Sequence, residues 1–358
     1  MKMKKADITK FNPNSAGSND TGVFGLPFSY QESNLVLLPV PFEMTTSYGR
    51  GTVAGPKAIR DASPQLDLFD ADFAFHGLPR PWEFGIHMEK ELSRIRTLNK
   101  EGCQVAKPII SKGGAIGRSK PLRAKLVKAN KISDSLNKIV FDRCRKALQQ
   151  NKIVGVVGGD HSVSFGAIQA IAQKHPKLGI LHFDAHADLR DAYEGFEHSH
   201  ASIMNNVIHK IPGVARLVQV GIRDFCDEEF QLAQKHPKID CHYDVEVRDR
   251  LFKGESFDRI VASMIKKLPE KVYISFDIDG FEPWLCPSTG TPVAGGLSFQ
   301  QAAYIIKALA LSGRKIVGFD LVEVAPSGRK GDEWDGNVGA RILYKLCSAA
   351  LYSQGARN

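Results

Sequence analysis

The chain divides into short apolar runs and longer stretches of mixed polarity. Residues 34–40, 153–157, 179–184, 218–223, 271–276 and 315–324 are runs of mostly Val, Ile, Leu and Phe, the pattern of strands covered on both faces. Between them lie segments whose apolar positions recur every three to four residues. In residues 133–150 these are Leu136, Ile139, Val140, Cys144 and Leu148, which predicts a helix with Ser133 as its N-cap. Further helices are predicted from Pro56, a favourable first-turn residue, and over 163–175, 228–235 and 337–351. Strands alternating with helices predict an α/β protein with three layers, α/β/α, around a central, mainly parallel sheet. No repeat or linker interrupts the pattern, so residues 35–358 read as a single domain. Residues 1–34, rich in Asn, Ser, Gly and Lys, read as an N-terminal extension, an arm or loosely packed segment. Residues 85–130 show no clear periodicity.

Three of the apolar runs end in residues that ligate metals. One run closes as Asp184-Ala185-His186-Ala187-Asp188. Alternation along an extended chain turns Asp184, His186 and Asp188 the same way. Carboxylate oxygen and imidazole nitrogen together suit a divalent Mn, Ni, Zn or Fe. Taken alone, the triplet fits a solvated strand end equally well. A second run leads into Gly158-Gly159-Asp160-His161-Ser162 and a third into Asp277-Ile278-Asp279-Gly280. In an open parallel sheet, the carboxyl ends of the strands gather around one site. His161, Asp184, His186, Asp188, Asp277 and Asp279 then supply two imidazoles and four carboxylates. Four acids so close cannot all stay ionised without cations between them, so the set predicts two divalent ions rather than one. His182 falls on the ligands' face one step further back, which predicts a histidine supporting the site from beneath.

Composition narrows the alternatives. The chain has 358 residues, 43% hydrophobic and 24% charged, enough for one large α/β domain of ordinary globular character. No apolar run approaches the ~20 residues of a membrane span. The start, Met1 to Lys5, is basic with no apolar stretch behind it, which argues against a secretory signal. Six cysteines without CxxC spacing read as reduced thiols of a cytoplasmic protein. The net charge of +9 invites a nucleic-acid partner, but residues 101–152 carry 13 Lys and Arg against 3 acids. That one segment is +10 and the rest of the chain −1, so the basicity belongs to a solvated helix and loop face. Nucleic-acid binding through it is the non-enzymatic alternative, and the intact ligand set argues against it.

The three blocks 158–162, 184–188 and 275–280, in this order, resemble the signature blocks of the ureohydrolase family, which includes arginase, agmatinase, guanidinobutyrase and guanidine hydrolase. The similarity runs from about Val36 to Leu351. It implies an arginase-like fold, with residues 85–130 as an insertion relative to shorter members. It also implies His161 and Asp188 on one ion, His186 and Asp279 on the other, Asp184 and Asp277 bridging, and manganese, or else nickel, as the metal. Asp188, His200 and Glu323 would be the catalytic group. His200 matches the family's proton-shuttling histidine, although Ala201 follows it where many members have Gly. Glu323, in Phe319-Asp320-Leu321-Val322-Glu323, matches the glutamate that faces the substrate guanidinium; a carboxylate accepts a planar fork of N–H donors in a way no single amine copies. Thr46, Ser47 and Tyr48, in the loop after the first strand, are candidate substrate contacts, and Trp284 could flank a cation with its ring. His198 has no counterpart.

The resemblance predicts water attack on a guanidino carbon, releasing urea and an amine. A histone deacetylase-like amide hydrolase of the same fold would hold one zinc, which the six ligands disfavour. The segment from Tyr193 to His200 resembles the agmatinase form, so agmatine, cleaved to putrescine and urea, is the leading substrate. Guanidine or a guanidino acid comes next and arginine third. Homo-oligomers, trimers or hexamers, are common in the family.

Overall fold

Among the described residues, eight strands pair into one sheet, every pair parallel. They are β1 (Leu35–Val40), β2 (Ile86–Met88), β3 (Ile153–Gly158), β4 (Leu178–Phe183), β5 (Val214–Ile222), β6 (Ile239–Tyr243), β7 (Lys271–Asp277) and β8 (Lys315–Val322), in the order β2-β1-β3-β8-β7-β4-β5-β6. The protein is seen here in a computed structural model that describes residues 3–9, 11–15 and 21–357.

The near-continuous apolar character of the strands has a direct cause. Along β1, Leu35 and Leu37 enter one core, whereas Val36, Leu38 and Val40 enter the other. In β4, Leu181 and Phe183 face the first core while Leu178 and Ile180 face the second. Helices Gly55–Ala62, Phe257–Lys266, Phe299–Leu311 and Trp334–Ser353 contribute to the first. Ser93–Ile110, Lys120–Gln149, Phe165–Lys174 and Ile203–Lys210 contribute to the second. A sheet covered on both faces and aligned in parallel leaves its polar chemistry one outlet, the carboxyl ends of its strands. This is the expected three-layer α/β/α arrangement. Among the described residues no helix is long and apolar enough to cross a membrane.

The structure corrects several sequence expectations. Residues 85–130 are not irregular: they hold β2, the 18-residue helix Ser93–Ile110 and the first turns of Lys120–Gln149. Ile95, Leu98, Val105, Ala106 and Ile109 are its buried stripe, diluted in sequence by the charges between them. The helix expected at residue 133 starts at Lys120, where Ser119 caps it by accepting from the Leu122 N–H, and Ser133 is buried in its interior. Lys, Arg, Ala and Leu are strong helix formers, and they carry the helix a full three turns upstream. Strand β6 and the helices Asp244–Phe252, Phe257–Lys266 and Phe299–Leu311 were not anticipated.

Described parts of residues 1–34 are docked rather than extended. Met3, Ala6 and Phe11 pack on the first core, the Ala6 N–H donates to the Glu83 carbonyl at 2.7 Å, and Phe11 meets Trp82 edge to face at 5.0 Å. Val23, Phe24, Leu26 and Phe28 are buried. These seven apolar side chains outweigh the polar composition that suggested an arm.

Candidate metal centre and active site

The expected ligand residues emerge where β3, β4 and β7 end, and the backbone aims them. Asp160 caps the short 3-10 turn His161–Ser164, and Asp277 caps the turn Ile278–Gly280 by accepting from the Asp279 N–H. Asp184 Oδ1 accepts the His186 N–H at 2.6 Å. Asp188 sits at φ 53° and Glu323 at φ 62°, left-handed conformations that non-glycine residues adopt at a cost and that gather at functional sites.

These turns bring all six expected ligands together. His161 Nδ1 lies 3.2 Å from Asp184 Oδ2, 3.1 Å from Asp188 Oδ2 and 3.4 Å from Asp277 Oδ2. His186 Nδ1 lies 3.4 Å from Asp184 Oδ1 and 3.0 Å from Asp279 Oδ2. The two groups therefore meet at Asp184, one oxygen facing each histidine. His161 Nδ1 is buried and has no hydrogen-bond partner among the described residues, although three carboxylate oxygens surround it. A nitrogen and three acidic oxygens closing on one point fit a cation. A second group, Asp184, His186 and Asp279, also has donor atoms within 4.8 Å of one another.

The electrostatics carry the same message. Burial, together with Asp184, pushes Asp188 up to about 6. Burial, with Asp279 and Asp184 adding to it, holds Asp277 well above the usual carboxylate range. Burial disfavours charge on His186, but Asp279 and Asp184 overcome it and raise the imidazole to about 12. Protons are held here because the site is short of positive charge, the condition two divalent ions would relieve.

A row of buried polar side chains runs beneath the ligands. In sheet register Gln219 of β5 neighbours His182 of β4, His182 neighbours Ser275 of β7, and Ser275 neighbours Asp320 of β8. His182 Nε2 lies 2.9 Å from Asp184 Oδ2. Ser275 Oγ lies 2.8 Å from His161 Nε2 and 3.0 Å from both Asp320 oxygens. His182 thus supports Asp184 from below, whereas Gln219, Ser275 and Asp320 escaped the sequence reading. The signal for them was the same two-residue alternation, one step back from Asp184 and Asp277.

A cavity of about 180 Å³ opens over the ligands, and His200, Glu323 and Ser47 line it with them. Burial, reinforced by His186 and His161, pushes the His200 imidazole down to about 4. Glu323 Oε1 accepts the His161 N–H at 2.9 Å, and no described residue donates to Oε2. Thr46 is buried, its hydroxyl without a hydrogen-bond partner among the described residues, and it does not line the cavity. Tyr48 is exposed. Trp284 lies 61% exposed, stacked on Trp334 at 6.4 Å and away from the cavity lining, so the structure does not place it over a bound cation. His198 packs against Phe165 at 4.9 Å. Arg190, Asp224 and the buried Glu229 also line the cavity and were not singled out in the sequence.

A parallel α/β sheet whose strand ends converge on paired imidazole and carboxylate clusters, under a small polar cavity, defines a metal-dependent hydrolase. The Arginase family matches residues 33–348. The chain is 30% identical over 306 residues to the N(1)-aminopropylagmatine ureohydrolase of Thermus thermophilus, covering 84% of this chain and 85% of that one. It is 30% identical over 298 residues to the agmatinase of Bacillus cereus, covering 83% and 86%. Proclavaminate amidino hydrolase from Streptomyces clavuligerus shares the fold with a TM-score of 0.70 at 22% identity, over 94% of this chain and 97% of that one. Arginase from Bacillus subtilis does so with a TM-score of 0.61 at 19% identity, over 88% and 98%. The chain belongs to the arginase family. It is a ureohydrolase, a hydrolase of C–N bonds in guanidino compounds.

Proposed function

We propose that the chain hydrolyses agmatine to putrescine and urea, in the cytoplasm and as a homo-oligomer, with residues 35–358 as one catalytic domain. The observation that carries the catalytic reading is the shared carboxylate: Asp184 faces His161 with one oxygen and His186 with the other, and both histidines line the cavity together with Glu323 and His200. His161 and Asp188 would hold one divalent ion, His186 and Asp279 the second, with Asp184 and Asp277 between them; manganese is the proposed metal and nickel the alternative. Bound there, the ions supply Lewis acidity and bring water into its nucleophilic form near neutral pH.

The chain's own residues do the rest. Glu323 Oε2, free of donors among the described residues, receives the guanidinium N–H groups and turns the guanidino carbon toward the ligand cluster. His200 is buried and, held to about 4, neutral at working pH, so it can take a proton from the attacking water and return it to the departing nitrogen. The balance is one guanidinium and one water giving one ammonium and one urea. Asp224, exposed at the mouth, 3.9 Å from His186 Nε2, offers negative charge to the amine end of agmatine. The test is urea release from one ion-loaded preparation against agmatine, N(1)-aminopropylagmatine, 4-guanidinobutyrate, guanidine and arginine. Agmatine should show the highest kcat/KM; a preference for guanidine or a guanidino acid replaces the substrate assignment, and no urea from any of them overturns the reaction.

A further inference from the structure

Thr45 stands one residue before the loop positions that sequence resemblance singles out, and it is fully buried. Its hydroxyl accepts the His200 backbone N–H at 3.1 Å, lies 3.3 Å from His200 Nδ1 and donates to Asp160 Oδ2 at 3.4 Å. A threonine hydroxyl has one hydrogen to give and two lone pairs to receive with. Asp160 Oδ1 is already engaged by the N–H and hydroxyl of Ser162, and Oδ2 accepts the Thr45 N–H at 3.4 Å. Four donors on one carboxylate describe an acceptor, so the Thr45 hydrogen points at Asp160. Both Thr45 lone pairs then face His200, one taken by its backbone N–H and one left for Nδ1. That nitrogen must carry hydrogen, and Nε2 is the one left to exchange a proton. The competing neighbour is Ser199 Oγ, 3.4 Å from the same Nδ1, with no carboxylate of the described residues behind it.

We infer that Thr45 is a positioning residue for proton transfer: through the line Asp160–Thr45–His200 it fixes the His200 ring with Nδ1–H inward and Nε2 toward the substrate. The inference rests on the reading of His200 as the proton shuttle. When His200 takes a proton at Nε2, the new charge is shared through Nδ1–H with the hydroxyl and the carboxylate behind it; when it gives the proton up, the same contacts hold the tautomer. Contacts of 3.3–3.4 Å are long for hydrogen bonds, and such pairs tighten as the reacting complex forms. The loop itself is held independently of this line, by Glu43, whose Oε2 accepts from the N–H groups of Gly51 and Val53 at 2.8 and 3.1 Å.

The test compares Thr45→Val, Thr45→Ser, His200→Asn and Thr45→Val/His200→Asn in ion-loaded protein, on whichever guanidino compound is turned over best. Thr45→Val should lower kcat on the order of tenfold to a hundredfold, the span seen when a group orienting a working side chain is lost, with KM within about twofold and the ion content intact. Thr45→Ser, which keeps the hydroxyl, should recover most of the rate. The double variant should be no slower than His200→Asn, since contacts that act through one group do not add. Full kcat in Thr45→Val, no recovery in Thr45→Ser, or losses that multiply in the double variant overturns the inference and leaves the shuttle standing. Full kcat in His200→Asn removes the shuttle and the inference with it. A readout without turnover is the 15N spectrum of His200 in zinc-loaded protein, where an Nδ1–H signature is expected in wild type and its weakening in Thr45→Val; an Nε2–H signature in wild type overturns the assignment.

Discussion

The side-chain amide nitrogen of Gln219 lies 2.9 Å from His182 Nδ1 and 2.8 Å from the Ala187 carbonyl. The carbonyl fixes which way the amide faces, so its second hydrogen points at Nδ1, and Nδ1 must accept. Hydrogen therefore sits on Nε2, directed at Asp184 Oδ2. Through one contact in β5 the sheet sets the tautomer of a histidine in β4 and steadies the carboxylate between the two ligand groups. Gln219→Leu should leave the ring free to adopt either tautomer and weaken divalent-ion binding by about 10- to 100-fold, the range for lost supporting contacts at metal ligands. Calorimetric titration of ion-free protein with Mn(2+) measures it, and unchanged affinity would show that Asp184 needs no help.

Ion content is the second prediction. Fully loaded protein should contain about two ions per chain by elemental analysis, and one ion with full activity would refute the paired site. Asp277→Ala should lose both ions more readily than His161→Ala, because Asp277 is proposed to serve both. The pH dependence has a definite sign. His186 is raised from 6.5 to about 12 by Asp279 and Asp184 against the pull of burial. In ion-free protein its stabilisation is complete below 6.5 and drains away as pH rises from 6.5 toward 12. Ions must displace that proton, so affinity rises with pH. The gain in Tm on loading should be larger at pH 8.5 than at 6.5; a gain that shrinks with pH contradicts the assignment.

The strands and the residues clustered at their ends were legible because two simple rules coincide there. A strand buried on both faces reads as an unbroken apolar run, and the first charged residues after it must lie at its carboxyl end. His161, Asp184 and Asp277 announce themselves this way. Gln219, Ser275 and Asp320 obey the same alternation but are uncharged or lie inside a run, where one polar residue looks like noise. Thr45 was illegible for a different reason: its role depends on Asp160 and His200, 115 and 155 positions away, and no local pattern encodes a contact at that range. The helix Ser93–Ile110 was hidden by charge density, since Lys and Arg between its apolar positions blur the period without weakening the helix.

The basic segment offers a third prediction, with two arms. Its outward face is solvated, as Lys131 and Lys138 show, while its inner face supports the loop that carries His200. Asn130 Oδ1 accepts the Glu197 N–H at 3.2 Å. Gly114, at φ 76°, lies so close that a Cβ there would stand 2.6 Å from the Glu194 Cα. Lys131→Glu with Lys138→Glu should leave turnover nearly unchanged at ~0.15 M salt, where the Debye length is ~8 Å. Gly114→Val should displace the loop and lower kcat/KM on the order of tenfold or more, because an ångström of misplacement is costly in a positioned site. Equal effects from the two changes would mean that charge, not loop support, is what the segment contributes.

The last prediction separates the two cavity residues proposed to meet the substrate. His200 is buried and held to about 4, by burial first and then by His186 and His161; at neutral pH it is an empty proton acceptor, suited to a transfer and poor at binding a cation. Glu323 Oε1 is tied to the His161 N–H while no described residue donates to Oε2, so that oxygen is suited to holding a guanidinium. Removing the first should cost rate and removing the second should cost recognition as well. His200→Asn should lower kcat by ~10²–10⁴, the usual contribution of a positioned acid–base group, with KM little changed and two ions retained. Glu323→Gln keeps the Oε1 contact and the shape but loses the charge, so it should raise KM for a guanidinium substrate together with a fall in kcat. Steady-state kinetics on both variants, with ion content measured on the same samples, makes the comparison. Should His200→Asn lose an ion, the histidine shapes the ligand cluster and moves no proton. If Glu323→Gln changes kcat alone, the carboxylate acts through the His161 backbone and does not meet the guanidinium.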